Sequence, residues 1–249
     1  MTPAVDVEAV RAAVGRVRQR LVAAGGQDVR LVAVTKGFGP EALTAAVAAG
    51  ADACGESYGQ ELVGKAEAAG LAAAVDPADV RGPWQDERPG PEPVVHFIGN
   101  LQRRKVRTVA PYVALWQSVD RIELGREIAR RAPGARVLVQ LNLSGEAHRG
   151  GCAGEDAPAL VEGLDAIGLR VDGLMGVGPQ GPPSAARPGF DALVALADRL
   201  GLAERSIGMS ADLEVAVAAG STMVRVGTDL FGPRPGRAAA GGGVGDAPG

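Results

Sequence analysis

The chain has 249 residues, 46% hydrophobic and 22% charged, with a formal net charge of −3, which suits one sizeable core and argues against general affinity for nucleic acid or anionic membrane. Two cysteines, Cys54 and Cys152, and two histidines, His96 and His148, are too few and too scattered for a disulfide framework or a zinc site. No apolar run approaches the length of a membrane span and the N-terminus lacks a signal-peptide layout, so a cytoplasmic protein with free thiols is expected.

Residues 6–24 carry Val7, Val10, Val14, Val17 and Leu21 at helical spacing, which predicts an opening amphipathic helix. Short apolar runs then alternate with helical stretches. Strands are expected near 30–36, 51–55, 94–99, 112–118, 136–143, 169–177, 205–209 and 222–227. Helices are expected near 40–49, 57–70, 102–110, 120–132, 155–166, 188–200 and 210–219. Runs such as Arg136-Val-Leu-Val-Gln-Leu-Asn-Leu143 lack a polar face, as strands covered on both sides do. Eight strands separated by helices predict an α/β fold, a single (β/α)8 TIM barrel with an extra N-terminal helix, the alternative being a doubly wound open sheet. Prolines at 77, 83, 89, 91 and 93 mark 76–93 as an inserted loop, and 178–188 has the same character. One domain over 1–234 is expected, followed by a disordered Gly/Ala/Pro-rich tail at 235–249.

Chemistry collects where the strands stop. Lys36 closes the first strand in a chain with 26 basic residues, of which only Lys36, Lys65 and Lys105 are lysines. Arginine cannot lose its proton and attack a carbonyl, so a lysine at a strand mouth is a candidate Schiff-base nucleophile, against the plainer reading of a snorkelling side chain. Glu56-Ser57-Tyr58 follows the second strand, Gly99-Asn100 the third, Ser118 and Asp120 the fourth, Asn142 the fifth, Ser210 the seventh and Gly227-Thr228 the eighth. Barrel enzymes build their sites on that face, with phosphate held after strands seven and eight. Ser210 is expected to cap a helix over 210–219 or to help hold an anion there, and Gly227 to let backbone approach the ligand. Arg225 lies two residues before Gly227 and so points inward with it. It is expected either to pair with Glu56 or Asp120, or to face a cofactor's pyridine nitrogen and oppose its protonation. A Schiff-base lysine with a phosphate cup suits pyridoxal 5′-phosphate (PLP).

These segments resemble the pyridoxal phosphate homeostasis proteins, relatives of the N-terminal barrel of alanine racemase. The resemblance runs from about residue 6 to 234 through Leu31-Val-Ala-Val-Thr-Lys36, Gly55-Glu-Ser-Tyr-Gly-Gln-Glu61, His96-Phe-Ile-Gly-Asn-Leu-Gln102 and Ser118-Val-Asp-Arg121. It continues through Val137-Leu-Val-Gln-Leu-Asn-Leu-Ser144, Gly173-Leu-Met175, Ile207-Gly-Met-Ser210, Ala218-Ala-Gly-Ser-Thr-Met-Val-Arg-Val-Gly-Thr228 and Phe231-Gly232. It implies that Lys36 carries PLP as a lysine aldimine. It further implies that Ser210, Gly227 and Thr228 hold the phosphate, that Arg225 faces the ring nitrogen, and that Met209 and Asn142 border the ring. Ser57 stands where the resembled family has asparagine, Arg103-Arg104 where it has Ser-Asn, and Arg149 where it has lysine.

The resemblance implies a binder acting in PLP (vitamin B6) and amino-acid homeostasis without turnover, because the chain ends before the second domain that closes a racemase site. Such a binder, a monomer or weak dimer, would hand PLP to apo-enzymes, with Gln102-Arg-Arg-Lys-Val-Arg107 either a docking face or a solvated helix side. The alternative is a PLP-dependent amino-acid racemase with Lys36 as one base and Tyr58, Glu56 or His148 as the second.

Overall fold

Asp6 opens the first helix: its carboxylate accepts from the amides of Glu8 and Ala9 at 3.0 and 3.2 Å, satisfying donors that no earlier turn can reach. The computed structural model describes residues 5–71, 92–146 and 149–233, and in it this helix, α1, runs Val7–Ala23. Val10, Ala13, Val14, Val17 and Leu21 are buried, but Val7 is 41% exposed, so the apolar stripe begins one turn later than its sequence spacing predicts. Gly25 adopts a φ of +85° and the Gly26 amide returns to the Leu21 carbonyl at 2.8 Å, turning the chain into the first strand.

Eight strands follow: β1 Arg30–Val34, β2 Ala53–Glu56, β3 Val95–Phe97, β4 Leu115–Val119, β5 Arg136–Leu141, β6 Arg170–Gly176, β7 Glu204–Ser206 and β8 Met223–Val226. They pair in parallel and in sequence order, and β8 returns to β1 in the register Arg30↔Met223 to Ala33↔Val226. That closing pair makes the barrel and rules out the open sheet. The helices are α2 Glu41–Ala48, α3 Gly59–Ala69, α4 Val106–Val109, α5 Ile122–Arg131, α6 Ala157–Ala166, α7 Arg187–Arg199, α8 Leu213–Ala219 and α9 Thr228–Phe231.

The structure departs from the expected elements in four places. The helix expected at 102–110 is divided into a 3-10 turn Arg103–Lys105, α4, and a second 3-10 turn Ala110–Tyr112. Pro111 sits in the first turn of the last of these and β4 then begins at Leu115, three residues later than expected. The seventh strand ends at Ser206, and the helix after it begins at Leu213 rather than 210. The proline-rich segment 178–188 contains a 3-10 turn at Pro183–Ala186. The inserted loop up to position 91, His148 and the tail at 235–249 lie outside the described residues.

Strand alternation decides what the mouth of the barrel presents. Val32, Ala53, Leu115, Leu138, Met175 and Met223 form an apolar layer inside the barrel. Their neighbours, such as Leu31, Ala33, Cys54, Val224 and Val226, pack outward under the helices, α1 among them. With Met223 inward, Arg225 is inward too. With Val32 inward, Val34 and Lys36 follow on the same side, while Thr35 and Glu56 face the helical layer. At the opposite end, Arg30 pairs with Glu204 and Arg136 with Asp172, fastening the N-terminal ends of four strands. Ion pairs at that end of the barrel serve stability rather than chemistry.

Candidate functional site

A cavity of about 220 Å³ opens at the C-terminal ends of β1, β7 and β8. Lys36, Met209, Ser210, Arg225, Gly227 and Thr228 all line it, with Val34 and Phe38 as apolar wall. The closure of β8 onto β1 is what brings Lys36 beside residues almost two hundred positions later. A dry cavity of about 150 Å³ admits benzene. The space here therefore fits a single substituted aromatic ring.

One side of the cavity is a set of unused donors. Among the described residues no acceptor takes the amides of Ser210, Ala211 or Thr228, and the hydroxyls of Ser210 and Thr228 are likewise without partners. Ser210 is half-buried while Ala211 and Thr228 are exposed, and N–H and O–H donors that line one concave wall together suit an anion. The turn that presents it is built by Gly208 and Asp212. Gly208 has a φ of +98°, and a Cβ there would lie 2.5 Å from that of Ala216, which only glycine avoids. Buried Asp212 accepts from the Met209 amide at 2.6 Å and so braces the turn; it stands at the N-cap position of α8, which begins at Leu213, without a side-chain bond to the helix amides. Gly227 lines the cavity, and a Cβ there would also meet Val34 at 3.3 Å, so its smallness serves the β8–β1 junction as well.

Arg225 forms no ion pair with Glu56 or Asp120. Its guanidinium donates to the Ser206 carbonyl and hydroxyl, both at 2.7 Å, and to the Gly176 carbonyl at 2.8 Å. Burial lowers its pKa to about 10, with Asp212 opposing that shift, so it remains a cation at neutral pH. Behind it runs a chain of hydrogen bonds across the barrel interior. Ser206 Oγ donates to Gln117 Oε1 at 2.7 Å, and Gln117 Nε2 donates to His96 Nδ1 at 2.8 Å. Four strands thus fix the guanidinium plane.

Lys36 is held in place from the helical side. Lys65, 4% exposed on α3, donates to the Thr35 carbonyl and to Glu56 Oε1, each at 2.7 Å, and pairs with Glu61 at 2.5 Å. Thr35 Oγ1 donates to the same Glu56 oxygen at 2.6 Å, and Glu61 accepts from the Gly37 amide at 2.6 Å. Both neighbours of Lys36 are therefore anchored, one to each carboxylate. Desolvation raises the Glu56 pKa even though Lys65 pulls it down, as a fully buried carboxyl requires.

The family model for the alanine racemase N-terminal domain matches residues 5–235. The pyridoxal phosphate homeostasis protein of Pseudomonas aeruginosa is 38% identical, over 88% of this chain and 91% of the relative. The chain belongs to the pyridoxal phosphate homeostasis protein family. The homeostasis protein of Deinococcus radiodurans is 37% identical, over 91% of this chain and 99% of the relative. PipY of Synechococcus elongatus, solved with PLP bound, superposes with a TM-score of 0.71 at 26% identity, covering 90% of this chain and 100% of that one.

Other residues expected at a homeostasis-protein site lie elsewhere. Asn142 does not line the cavity: its Nδ2 donates to the carbonyls of Glu146 and Arg149 at 2.9 and 3.3 Å, while Oδ1 accepts from Ser144 and Gly145. Its side chain knits the loop after β5. Asn142→Ala is accordingly expected to destabilise the fold by about 1–3 kcal/mol, read from urea midpoints, because several partners lose their bonds together. Tyr58 is 53% exposed at the start of α3 and Glu56 points into the helical layer, so neither supplies the racemase reading with a second base at the cavity wall. Arg149 bonds Glu146 and the Gly178 carbonyl. Arg103, Arg104 and Arg107 line a cleft with Arg130 and Arg131 that shares no lining residue with the cavity. Both cysteines are free thiols, and burial raises their pKa values to about 12 for Cys54 and about 11 for Cys152.

Two residue groups that hold this site were not singled out from sequence as parts of it. Glu61 and Lys65 stand four apart on a predicted helix, a spacing that signals an ion pair. Gln117 and Ser206 carried no local signal at all.

Proposed function

We propose that the protein binds PLP at the mouth of the barrel, covalently through Lys36, and holds it for intracellular PLP (vitamin B6) and amino-acid homeostasis without catalytic turnover. The observation that carries this reading is one ring-sized cavity lined by Lys36, Arg225, Ser210 and Thr228. When bound, PLP supplies an aldehyde that condenses with an amine and a ring that withdraws electrons. Ser210 and Thr228, with the amide of Ala211, take the phosphate, and Met209 and Val34 give the ring its apolar contact. Gly227 keeps the strand close to β1. Arg225, a cation held by neutral acceptors, opposes protonation of the ring nitrogen and so weakens the ring as an electron sink. Asn142 acts through the order of its loop.

The absence of turnover is supported by the composition of the wall. Among the described lining residues Lys36 is the one amine, and no carboxylate accompanies it. Racemisation needs proton exchange on two faces of a planar carbanion, and one lysine serves one face. The barrel over 1–234 acts as a monomer or weak dimer in the cytoplasm and hands PLP to apo-enzymes. Among the described residues no helix is long and apolar enough to cross a membrane, which accords with that location.

Titration with PLP followed by borohydride reduction and peptide mapping tests the site. A visible band should appear, the label should fall on Lys36, and both should vanish in Lys36→Ala. Label on Lys105 instead, or an unchanged band in Lys36→Ala, would sink the reading.

A further inference from the structure

Arg20 lies in the last turn of α1, a helix that precedes the eight βα units, yet its whole guanidinium is committed to the anion cup. Nε and Nη2 meet the Glu214 carboxylate at 2.7 and 3.0 Å, Nη1 meets Asp229 at 2.7 Å, and Nη2 also donates to the Ser210 carbonyl at 2.9 Å. Glu214 follows Ser210 by four residues and Asp229 follows Thr228 directly. The two segments carrying the unused donors thus each bring a carboxylate. An anion resting on those donors would meet two negative charges were nothing placed between them.

The guanidinium shows the exchange in both directions. The Arg20 hydrogen bond holds the Glu214 carboxyl below its usual range, and the same contact raises Arg20. Stability alone does not account for the arrangement. The side chains are 35%, 50% and 35% exposed for Arg20, Glu214 and Asp229, and pairs this wet contribute little to folding. Their geometry matters more than their strength: one planar fork ties the loop after β7, the turn after β8 and α1 together, and cancels charge at the lip of the cup.

We propose that Arg20 is a positioning residue of the phosphate cup, tying its two loops together and compensating Glu214 and Asp229 so that a dianionic phosphate is accepted. This rests on the reading of the cup as the phosphate site of PLP. It adds that the N-terminal helix, and not the barrel alone, sets the preference for the phosphorylated ligand over its unphosphorylated form.

The test compares the dissociation constants of PLP and pyridoxal, which lacks the phosphate, for the full chain and its variants. Arg20→Ala should weaken PLP by about tenfold, the equivalent of roughly one lost charge compensation, and leave pyridoxal unchanged. Arg20→Ala combined with Glu214→Gln and Asp229→Asn should recover most of the lost PLP affinity, since the uncompensated charges are gone. Arg20→Lys, which keeps the charge and loses the fork, should fall between. Equal weakening of both ligands, or no recovery in the triple variant, would overturn the proposal by making Arg20 a general structural clamp. An Arg20→Ala protein that keeps the wild-type preference for PLP would overturn it as well. Should the wild type itself bind PLP and pyridoxal equally, the failure lies one step earlier, in the cup as a phosphate site.

Discussion

Lys65→Met is expected to destabilise the protein by about 3–5 kcal/mol at neutral pH, the range found when one partner of a buried ion pair is removed. Glu56 is fully buried, and its Oε2 already lacks a hydrogen-bond partner among the described residues. Without Lys65 its remaining support is the Thr35 hydroxyl. The Glu56 pKa, raised by burial even in the intact pair, would rise further. A carboxyl raised in the folded state contributes stability that is present at low pH and lost as pH rises through its folded pKa. The deficit of the variant should therefore shrink as pH falls toward 4.5, the carboxyl's ordinary value. Removing both partners, in Lys65→Met with Glu56→Leu, should regain much of the loss, because an apolar pair leaves no buried charge. Urea midpoints at two pH values read all three. A loss below about 1 kcal/mol would place the pair among solvent-screened ion pairs and refute the account.

Acid should weaken the fold through His96 before most carboxylates titrate. Nδ1 of His96 accepts from Gln117, which requires that nitrogen to be unprotonated, and burial, with Arg30 and Arg136 adding to it, pushes the pKa down from 6.5 to about 3. Above 6.5 both folded and unfolded chains hold a neutral imidazole and the full stability is present. Below it the unfolded chain binds a proton that the native state refuses, so stability falls with pH until about 3. One proton is worth about 1.4 kcal/mol per pH unit, so about 2 kcal/mol should be lost from this group between pH 6.5 and 5. His96→Asn keeps an acceptor for Gln117 and removes the titration. Its stability profile should be flatter over that window by one proton, and Glu56, whose effect has the opposite sign, is common to both proteins and cancels. Equal slopes would show that His96 does not titrate as its surroundings imply.

Much of the barrel and most of the cavity wall were legible in the sequence because both depend on short-range pattern. Alternation with period two carried Arg225 to the same face as Gly227. The order of strand ends then gathered Ser210, Gly227 and Thr228 on one face. What escaped depends on partners far apart in sequence. Arg20 and Glu214 are 194 residues apart, and Ser206 and Gln117 are 89 apart. No local rule distinguishes Arg20 from the other arginines of α1. The helix expected at 102–110 failed for a different reason: its apolar spacing is real, but Pro111 and the 3-10 geometry around it end the regular turns early. Asn142 borders the ring by resemblance, and its amide also bonds its own loop, a use that residue spacing does not reveal.

The burial of Lys65 also bears on how this chain would meet a reactive aldehyde in solution. Free aldehydes condense with whatever primary amines they reach, and an ordinary protein surface offers many. Here three lysines are present, one is 4% exposed and doubly paired, and one lines the cavity. Lys105 is left as the single lysine outside the site whose side chain solvent can reach. Adventitious adducts should accordingly stay near one per chain even at excess reagent, apart from the terminal amine. The ratio of bound aldehyde to protein, less the same ratio for Lys36→Ala, then counts occupied sites.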